Sequence, residues 1–282
     1  MDKEKLKKIL LIVISALTLA ALALLLVIIV VSIAPGGIKG FENYKVTEAN
    51  IKTGSLVLAD EAHPYNVDAS MLDLVAGCQE YRTEQLTAAG IDATVKANYP
   101  YIPYKGMKLS TAAMAAAHSM LSDAKAAVNQ NPVCIDRTYG IGYNGEELEE
   151  YNTGLLMFLA DYTSESQAYV ALSKEYKAWF NANAAKYGFI ESFDGGFRYV
   201  GAVHATYMKA NSMTLAQYIN HLKNNTSNEK PLSASANGVE YQIYYVACKA
   251  GDTIKVPSKN EYTISGTNEG GVIITVTVSN SK

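Results

Sequence analysis

The sequence is poor in charged residues and has no basic stripe. Only 18% of its 282 residues are Asp, Glu, Lys or Arg, the net charge is −3 and the pI is near 5.9. Proteins that bind nucleic acids normally present clustered basic side chains, often interleaved with aromatic ones, and no such patch is evident here. We therefore expect no nucleic-acid partner.

Cysteines and metal-binding patterns are also scarce. The three cysteines, Cys78, Cys134 and Cys248, are odd in number and lack the spacing of a disulfide framework. Free, buried thiols are therefore predicted, and an oxidised pair in an external domain is the alternative. No HExxH, CxxC or histidine-rich stretch occurs. His63, before a proline, and His118, beside the apolar face of a predicted helix, are interpreted as structural.

The longest apolar run covers residues 9–34, which carry no charged side chain. A helix of this length exceeds the hydrocarbon core of about 30 Å, and it is longer than the apolar region of a cleavable signal peptide, the competing interpretation. Lysines precede the run, so the positive-inside tendency predicts a cytoplasmic tail at 1–8 and everything after Pro35 outside the cell. Residues 35–53 are predicted to form a stalk.

Hydrophobic periodicity divides the rest of the chain. A period of 3.6 residues predicts helices over Ser110–Val128, Ser173–Tyr187 and Thr214–Lys223. Residues 224–232 are polar and predict a linker before an antiparallel β module over 233–282. Its four strands are predicted at Val239–Val246, Thr253–Val256, Glu261–Ile264 and Gly271–Val278. A further short apolar strand is predicted at Leu56–Leu58.

Residues Gly140–Gly145 match G-x-G-x-x-G, a pattern typical of dinucleotide-binding turns. The context does not fit that function. Only Glu146–Asn152 is available for the following helix, which is too short for a βαβ crossover. Its glutamates would also repel a pyrophosphate. We therefore do not predict a dinucleotide site.

Three motifs lie between Tyr187 and Ala205. Tyr187–Ile190 reads YGFI, Phe197–Gly201 reads FRYVG, and His204–Ala205 reads HA. These motifs resemble the end of the catalytic core of VanY-type D-alanyl-D-alanine carboxypeptidases, which are zinc peptidases that trim peptidoglycan stem peptides.

The resemblance extends over a carboxypeptidase-like domain at 54–223, and the β module resembles an extension found in clostridial members of the family. It implies an α+β fold. A helix-flanked antiparallel sheet of the DD-peptidase type would follow the transmembrane helix and precede the small C-terminal β module.

The resemblance also assigns the family's chemistry to particular positions. Its three zinc-ligand positions are Tyr151, Phe158 and Gly196 here, and its general-base position is Phe193. A catalytic zinc needs three good protein donors and an open position for water. Phenylalanine and glycine side chains offer none, and a neutral tyrosine is a poor donor. We therefore predict neither a bound zinc nor a catalytic residue.

Arg137 is the predicted substrate-binding residue. Val133–Tyr139 resembles the family's V-S-G-Y-R-T-Y, in which the arginine holds the terminal carboxylate of the substrate, a role suited to its planar fork. The alternatives are a surface arginine, or one paired with Asp136. Asp161 is a candidate displaced ligand, but its odd offset from Phe158 places it on the opposite face of a continuous strand.

These assignments predict a membrane-anchored, extracytoplasmic homologue without catalytic activity. Its partners would be the membrane, through the N-terminal helix, and either a peptidoglycan stem peptide or another envelope protein of a bacterial cell. The alternative is an active zinc D-Ala-D-Ala carboxypeptidase of peptidoglycan maturation that uses displaced ligands.

Overall fold

A computed structural model describes residues 37–65, 73–74, 101–102, 108–128, 133–139, 149–163 and 168–278. The described residues within Ile38–Val278 form one compact unit. The predicted tail at 1–8 and anchor at 9–34 lie outside the described residues, and the anchor stays a prediction. None of the helices that the structure does describe combines the length and apolar character needed to cross a membrane.

The unit contains five α-helices and fourteen strands within the described residues. The helices are α1 (Glu48–Lys52), α2 (Thr111–Val128), α3 (Lys174–Asn183), α4 (Ala202–Ala210) and α5 (Leu215–Asn225). The first seven strands are β1 (Phe41–Lys45), β2 (Asp73–Leu74), β3 (Tyr101–Ile102), β4 (Lys108–Leu109), β5 (Val133–Arg137), β6 (Leu156–Thr163) and β7 (Ala168–Val170). The others are β8 (Phe189–Phe193), β9 (Gly196–Tyr199), β10 (Leu232–Ala236), β11 (Val239–Ala247), β12 (Thr253–Pro257), β13 (Tyr262–Gly266) and β14 (Gly271–Val278). Two 3-10 helices cover Glu149–Thr153 and Ala184–Tyr187.

The larger sheet has the order β3-β5-β6-β9-β8, with β7 beside β6. Its pairs are antiparallel except β3 with β5, so the predicted helix-flanked antiparallel sheet is confirmed with one parallel pair added. Helices α2 and α3 cover one face. Buried side chains of the sheet, including Met157, Leu159 and Phe197, pack there against Tyr176 and Phe180.

Local signals account for the ends of the helices. The Ser173 hydroxyl accepts from the Tyr176 N–H and caps α3. Gly188, with φ of 94°, ends the following 3-10 helix in the left-handed region that glycine favours. Thr214 and Gln217 form a capping box at the start of α5. The three predicted helices are thus confirmed, whereas α4 was not predicted because its apolar period is weak.

The second sheet has the order β10-β11-β14-β13 and is buried on both faces. On one face, Ile243, Tyr245 and Ile273 pack against α4 and α5. On the other, Tyr244, Ile274 and Val276 pack against residues of β1 and β12. The predicted C-terminal strands are all present, but β12 pairs with β1 instead of joining this sheet.

Two predicted segments differ in the structure. The stretch predicted as a stalk, 35–53, contributes β1 and α1 to the compact unit, because β12 offers β1 a complete antiparallel partner. Leu56–Leu58 is buried, as its apolar character requires, but it forms no strand. Its backbone groups bond instead to Ser265, Thr267 and Arg198.

Candidate functional site

Four of the five residues singled out by sequence lie in one row across the larger sheet. Arg137 on β5 is paired with Phe158 on β6, Phe158 with Gly196 on β9, and Gly196 with Phe193 on β8. Directly opposed residues of an antiparallel pair present their side chains on the same face. The row therefore collects these positions on the face opposite to α2 and α3.

Two irregularities in strand register bring Arg137 and Phe193, the ends of this row, onto the same face as Phe158 and Gly196. In β5 the register shifts between Ile135 and Arg137, and in β8 it shifts between Glu191 and Phe193. Strict alternation would direct Arg137 with the core residue Ile135, and Phe193 with Glu191. A bulge inserts one residue and re-aims the next side chain, so it is the shifts that place Arg137 and Phe193 beside Phe158 and Gly196.

Aromatic rings fill the middle of the site. The ring of Phe158 lies 5.9 Å from that of Phe193 in a stacked arrangement, and 5.7 Å from that of Tyr151. Tyr151, the fifth predicted position, comes from the 3-10 helix Glu149–Thr153. The guanidinium carbon of Arg137 lies 4.2 Å from the centre of the Phe158 ring, within the range of a cation–π contact. Phe158 is buried, and Phe193 is 37% exposed at the rim.

The residues at the family's ligand positions do not fit a zinc ion. Phe158 has no donor atom and Gly196 has no side chain, so Tyr151 alone offers an oxygen. Within the described ranges, no three His, Cys, Asp or Glu side chains lie close enough together to hold a metal ion.

Asp161, the candidate displaced ligand, faces the helical side of the sheet. Its Oδ2 accepts a hydrogen bond of 2.8 Å from the Ser173 N–H, just before α3. Its charge also acts on the buried Tyr176 hydroxyl of that helix, where burial, followed by this charge, raises the pKa of Tyr176 to about 12. The odd offset from Phe158 therefore has the consequence predicted for a continuous strand.

The turn between β8 and β9 is held by three contacts. The carboxylate of Glu191 accepts from the Gly195 N–H at 3.1 Å, and the Gly195 carbonyl accepts from the Leu159 N–H at 2.8 Å. Lys177 of α3 forms an ion pair of 2.9 Å with Asp194. These contacts determine where the turn places Phe193 and Gly196.

Arg198 is a site-face residue whose role sequence reasoning missed. It is fully buried, and its guanidinium donates to the Thr153 hydroxyl at 2.6 Å and to the Val57 carbonyl at 2.9 Å. Burial lowers the pKa of Arg198 to about 10, an effect that the nearby Glu150 carboxylate opposes. Burial likewise raises the pKa of Glu150, against the opposing charge of Arg198. The FRYVG motif contains this arginine, but only the fold shows that its guanidinium connects Thr153 with Val57.

The remaining candidates lie elsewhere. His63 Nδ1 lies 2.7 Å from Asp60 Oδ1 in a loop, and His118 is exposed on α2. Residues 140–148, which include the whole glycine pattern, lie outside the described part of the chain, as do Cys78 and the side chains of Cys134 and Asp136. Cys248 is a free, buried cysteine, as predicted for it.

Known proteins resemble this chain in sequence and in fold. A D-alanyl-D-alanine carboxypeptidase of Enterococcus faecium is 38% identical over 111 residues, which cover 35% of this chain and 35% of the relative. The chain thus matches about a third of that relative's length. The crystal structure of the vancomycin-resistance D,D-dipeptidase VanXYg, in complex with a D-Ala-D-Ala phosphinate analogue, aligns with a TM-score of 0.60 at 19% identity. That alignment covers 85% of this chain and 100% of the other, and it shows a shared fold. No family model matches the sequence.

Proposed function

We propose that this chain is a non-catalytic member of the VanY-type D-alanyl-D-alanine carboxypeptidase family that binds peptidoglycan stem peptides without cleaving them. The observation that carries the proposal is the position of the Phe158 ring. It packs over Gly196 and between Tyr151 and Phe193, so two rings without metal-binding atoms, those of Phe158 and Phe193, occupy positions that carry the chemistry in the family.

Loss of hydrolysis follows from the side chains at these positions. The family's zinc chemistry activates water with a Lewis acid and a general base, and the row supplies neither at 158, 196 or 193. Asp161 offers no substitute, since its carboxylate bonds to the Ser173 N–H on the other face of the sheet. An active enzyme with displaced ligands therefore finds no support among the described residues.

Binding of a peptide carboxylate rests on Arg137. Its guanidinium carbon lies 4.2 Å from the centre of the Phe158 ring, within the range of a cation–π contact, and carboxylates bind to the N–H groups at a guanidinium edge. A cation–π contact does not consume the N–H donors that a carboxylate needs, so the two interactions are compatible. The half-exposed Phe193 at the other end of the row adds apolar surface for the small side chains of the peptide.

The site is proposed to act outside the cytoplasm, with residues 9–34 as the membrane anchor. The support is the length of that apolar run and the lysines before it. The test uses cells that produce the full chain and have been stripped of their wall. Protease added to intact cells should degrade the folded unit, and protection of that unit would contradict the orientation.

One preparation of the full chain tests both halves of the functional proposal. We expect no stoichiometric zinc and no release of D-Ala from a stem pentapeptide. Diacetyl-L-Lys-D-Ala-D-Ala should bind, and Arg137→Gln should bind it at least about tenfold more weakly, since a hydrogen bond to a charged group contributes about 1.5–3 kcal/mol.

Lys186→Gln is the matched control, because Lys186 also places a cation over an aromatic ring, that of Tyr187 at 4.9 Å, in the 3-10 helix next to α3. It should leave affinity unchanged. Bound zinc with turnover would replace the proposal by the active enzyme. Absence of peptide binding would favour a role in binding another envelope protein.

A further inference from the structure

The second sheet contacts the segment that borders the site, Ser55–Tyr65, hereafter the wall segment. The Leu56 N–H donates to the Ser265 hydroxyl at 2.9 Å, and the Leu58 N–H donates to the Thr267 carbonyl at 3.0 Å. Both acceptors lie at or just beyond the end of β13. The wall segment is thus bonded along its first half to the C-terminal part of the chain.

Asn268, in the turn between β13 and β14, bonds to the second half of the wall segment. Its side-chain amide lies 3.1 Å from the Leu58 carbonyl, 3.3 Å from that of Pro64 and 3.4 Å from that of His63. Its φ of 58° is uncommon for a residue other than glycine, although asparagine tolerates it best. The amide therefore bonds to both ends of the turn at 58–64.

The wall segment in turn holds the 3-10 helix that carries Tyr151. The Tyr65 N–H donates to the Glu149 carboxylate at 3.4 Å, at the start of that helix. At its end, Arg198 bonds both to the Val57 carbonyl and to the Thr153 hydroxyl. Both ends of the helix are thereby connected to the wall segment.

We propose that Asn268 is a positioning residue for the ligand site. Acting through the wall segment, it fixes the 3-10 helix and therefore the Tyr151 ring against Phe158. Asn268 itself touches neither the aromatic rings nor Arg137 in the contacts described, so its action is indirect. The effect on ligand affinity rests on the function proposed above, whereas the effect on the helix does not.

Hydrogen exchange and ligand binding on the full chain test this role together. Asn268→Gly still allows the positive backbone φ and removes the side-chain amide. We expect amides of 58–65 and 149–155 to exchange about fivefold faster or more, since losing even one net hydrogen bond changes a local opening equilibrium by about that factor. Affinity for diacetyl-L-Lys-D-Ala-D-Ala should fall by a similar factor.

Asn268→Asp distinguishes a role of the side-chain amide from a role of the backbone conformation. Aspartate also tolerates positive φ, but its carboxylate would face three carbonyl oxygens that it cannot bond. A role limited to backbone conformation predicts that Asn268→Asp behaves like the native chain. The positioning role predicts that it increases exchange and weakens binding more than Asn268→Gly does.

Asn237→Gly is the matched control. Asn237 also has positive φ, 52°, in a turn of the same sheet, and its amide donates to the Lys186 carbonyl at 2.9 Å. This variant should leave the hydrogen exchange of 58–65 and 149–155 unchanged. It should also leave the ligand affinity unchanged.

Three results would overturn the proposal: unaltered exchange at 58–65 in both Asn268 variants, faster exchange there without any change at 149–155, or faster exchange at both with native affinity. If the native chain fails to bind the peptide, the proposed function fails, and the exchange data still decide whether Asn268 positions the helix.

Discussion

The ring of Phe158 occupies the space that a side chain at position 196 would need. A Cβ on Gly196 would lie 2.9 Å from both Cε1 and Cζ of Phe158, and 2.9 Å from the Cβ of Phe193. Carbon atoms in favourable contact stay about 3.5–4.0 Å apart. Phe158 and any side chain larger than hydrogen at 196 therefore exclude each other in this arrangement.

This exclusion predicts an energetic coupling. Gly196→Ala should lower the free energy of unfolding by about 1–3 kcal/mol, the usual range for overpacking. In the background of Phe158→Ala the same change should cost less, with a coupling of about 1 kcal/mol or more. Urea unfolding of the four proteins of this cycle measures it. Additive effects would mean that the ring moves aside at no cost.

Restoring the family's side chains should not restore an enzyme. The quadruple variant Tyr151→His, Phe158→Asp, Gly196→His and Phe193→Glu recreates the ligand set and the base. Zinc ligands must be held within about 0.5 Å of their required positions. The contacts that fix the β8–β9 turn are formed around Phe193 and Gly196, not around a glutamate and a histidine. We expect at most weak zinc binding and no useful turnover.

Zinc titration and D-Ala release from a stem pentapeptide measure the result, with the native chain as reference. Burying new polar groups should also destabilise the variant by a few kcal/mol. Tight zinc binding with turnover would show instead that the surrounding site still belongs to an enzyme.

His204 should make the fold sensitive to mild acid. It is buried between the Tyr218 hydroxyl at 2.9 Å and the Thr275 hydroxyl at 3.1 Å, and burial lowers its pKa from 6.5 to about 4. The unfolded chain thus binds a proton at this residue below pH 6.5, and the folded chain does so only near pH 4. Stability is complete above pH 6.5 and falls toward pH 4, by up to about 1.4 kcal/mol per pH unit.

Unfolding free energies measured from pH 7.5 to 4 check this expectation. His204→Gln should be less stable at pH 7.5 and should show a shallower decline between pH 6.5 and 4. His221→Gln, in the adjacent helix α5, serves as the control and should keep the native slope. An unchanged slope in His204→Gln would mean that other groups cause the acid sensitivity.

The C-terminal sheet should not fold alone. A fragment of residues 230–282 would expose Ile243, Tyr245 and Ile273, which pack against α4 and α5, and it would leave β12 without β1. Four strands without these partners bury too little apolar surface to be stable. Circular dichroism and urea unfolding of the fragment should show no cooperative transition. A cooperative transition would show that the sheet is an independent domain.

Much of the unit was predictable because its signals are local. Periodicity, capping residues and Gly188 identify α2, α3 and α5, alternation identifies β11, and the preceding turn residues delimit β14. The weakly amphipathic α4 and the pairing of β1 with β12 were not predictable, since both depend on partners distant in sequence.

At the site, the sequence by itself determined which residues occupy the family's positions, because short motifs can be aligned without knowing the fold. It also determined that those side chains offer a zinc ion too few donors. The tertiary structure decided that Arg137 and Phe193 reach the same face as Phe158 and Gly196. Register shifts in β5 and β8 accomplish this, and a bulge depends on cross-strand pairing that no local pattern encodes. It also decided that Arg198 is buried beside the site on the same face, because only packing brings Val57 and Thr153 to its guanidinium.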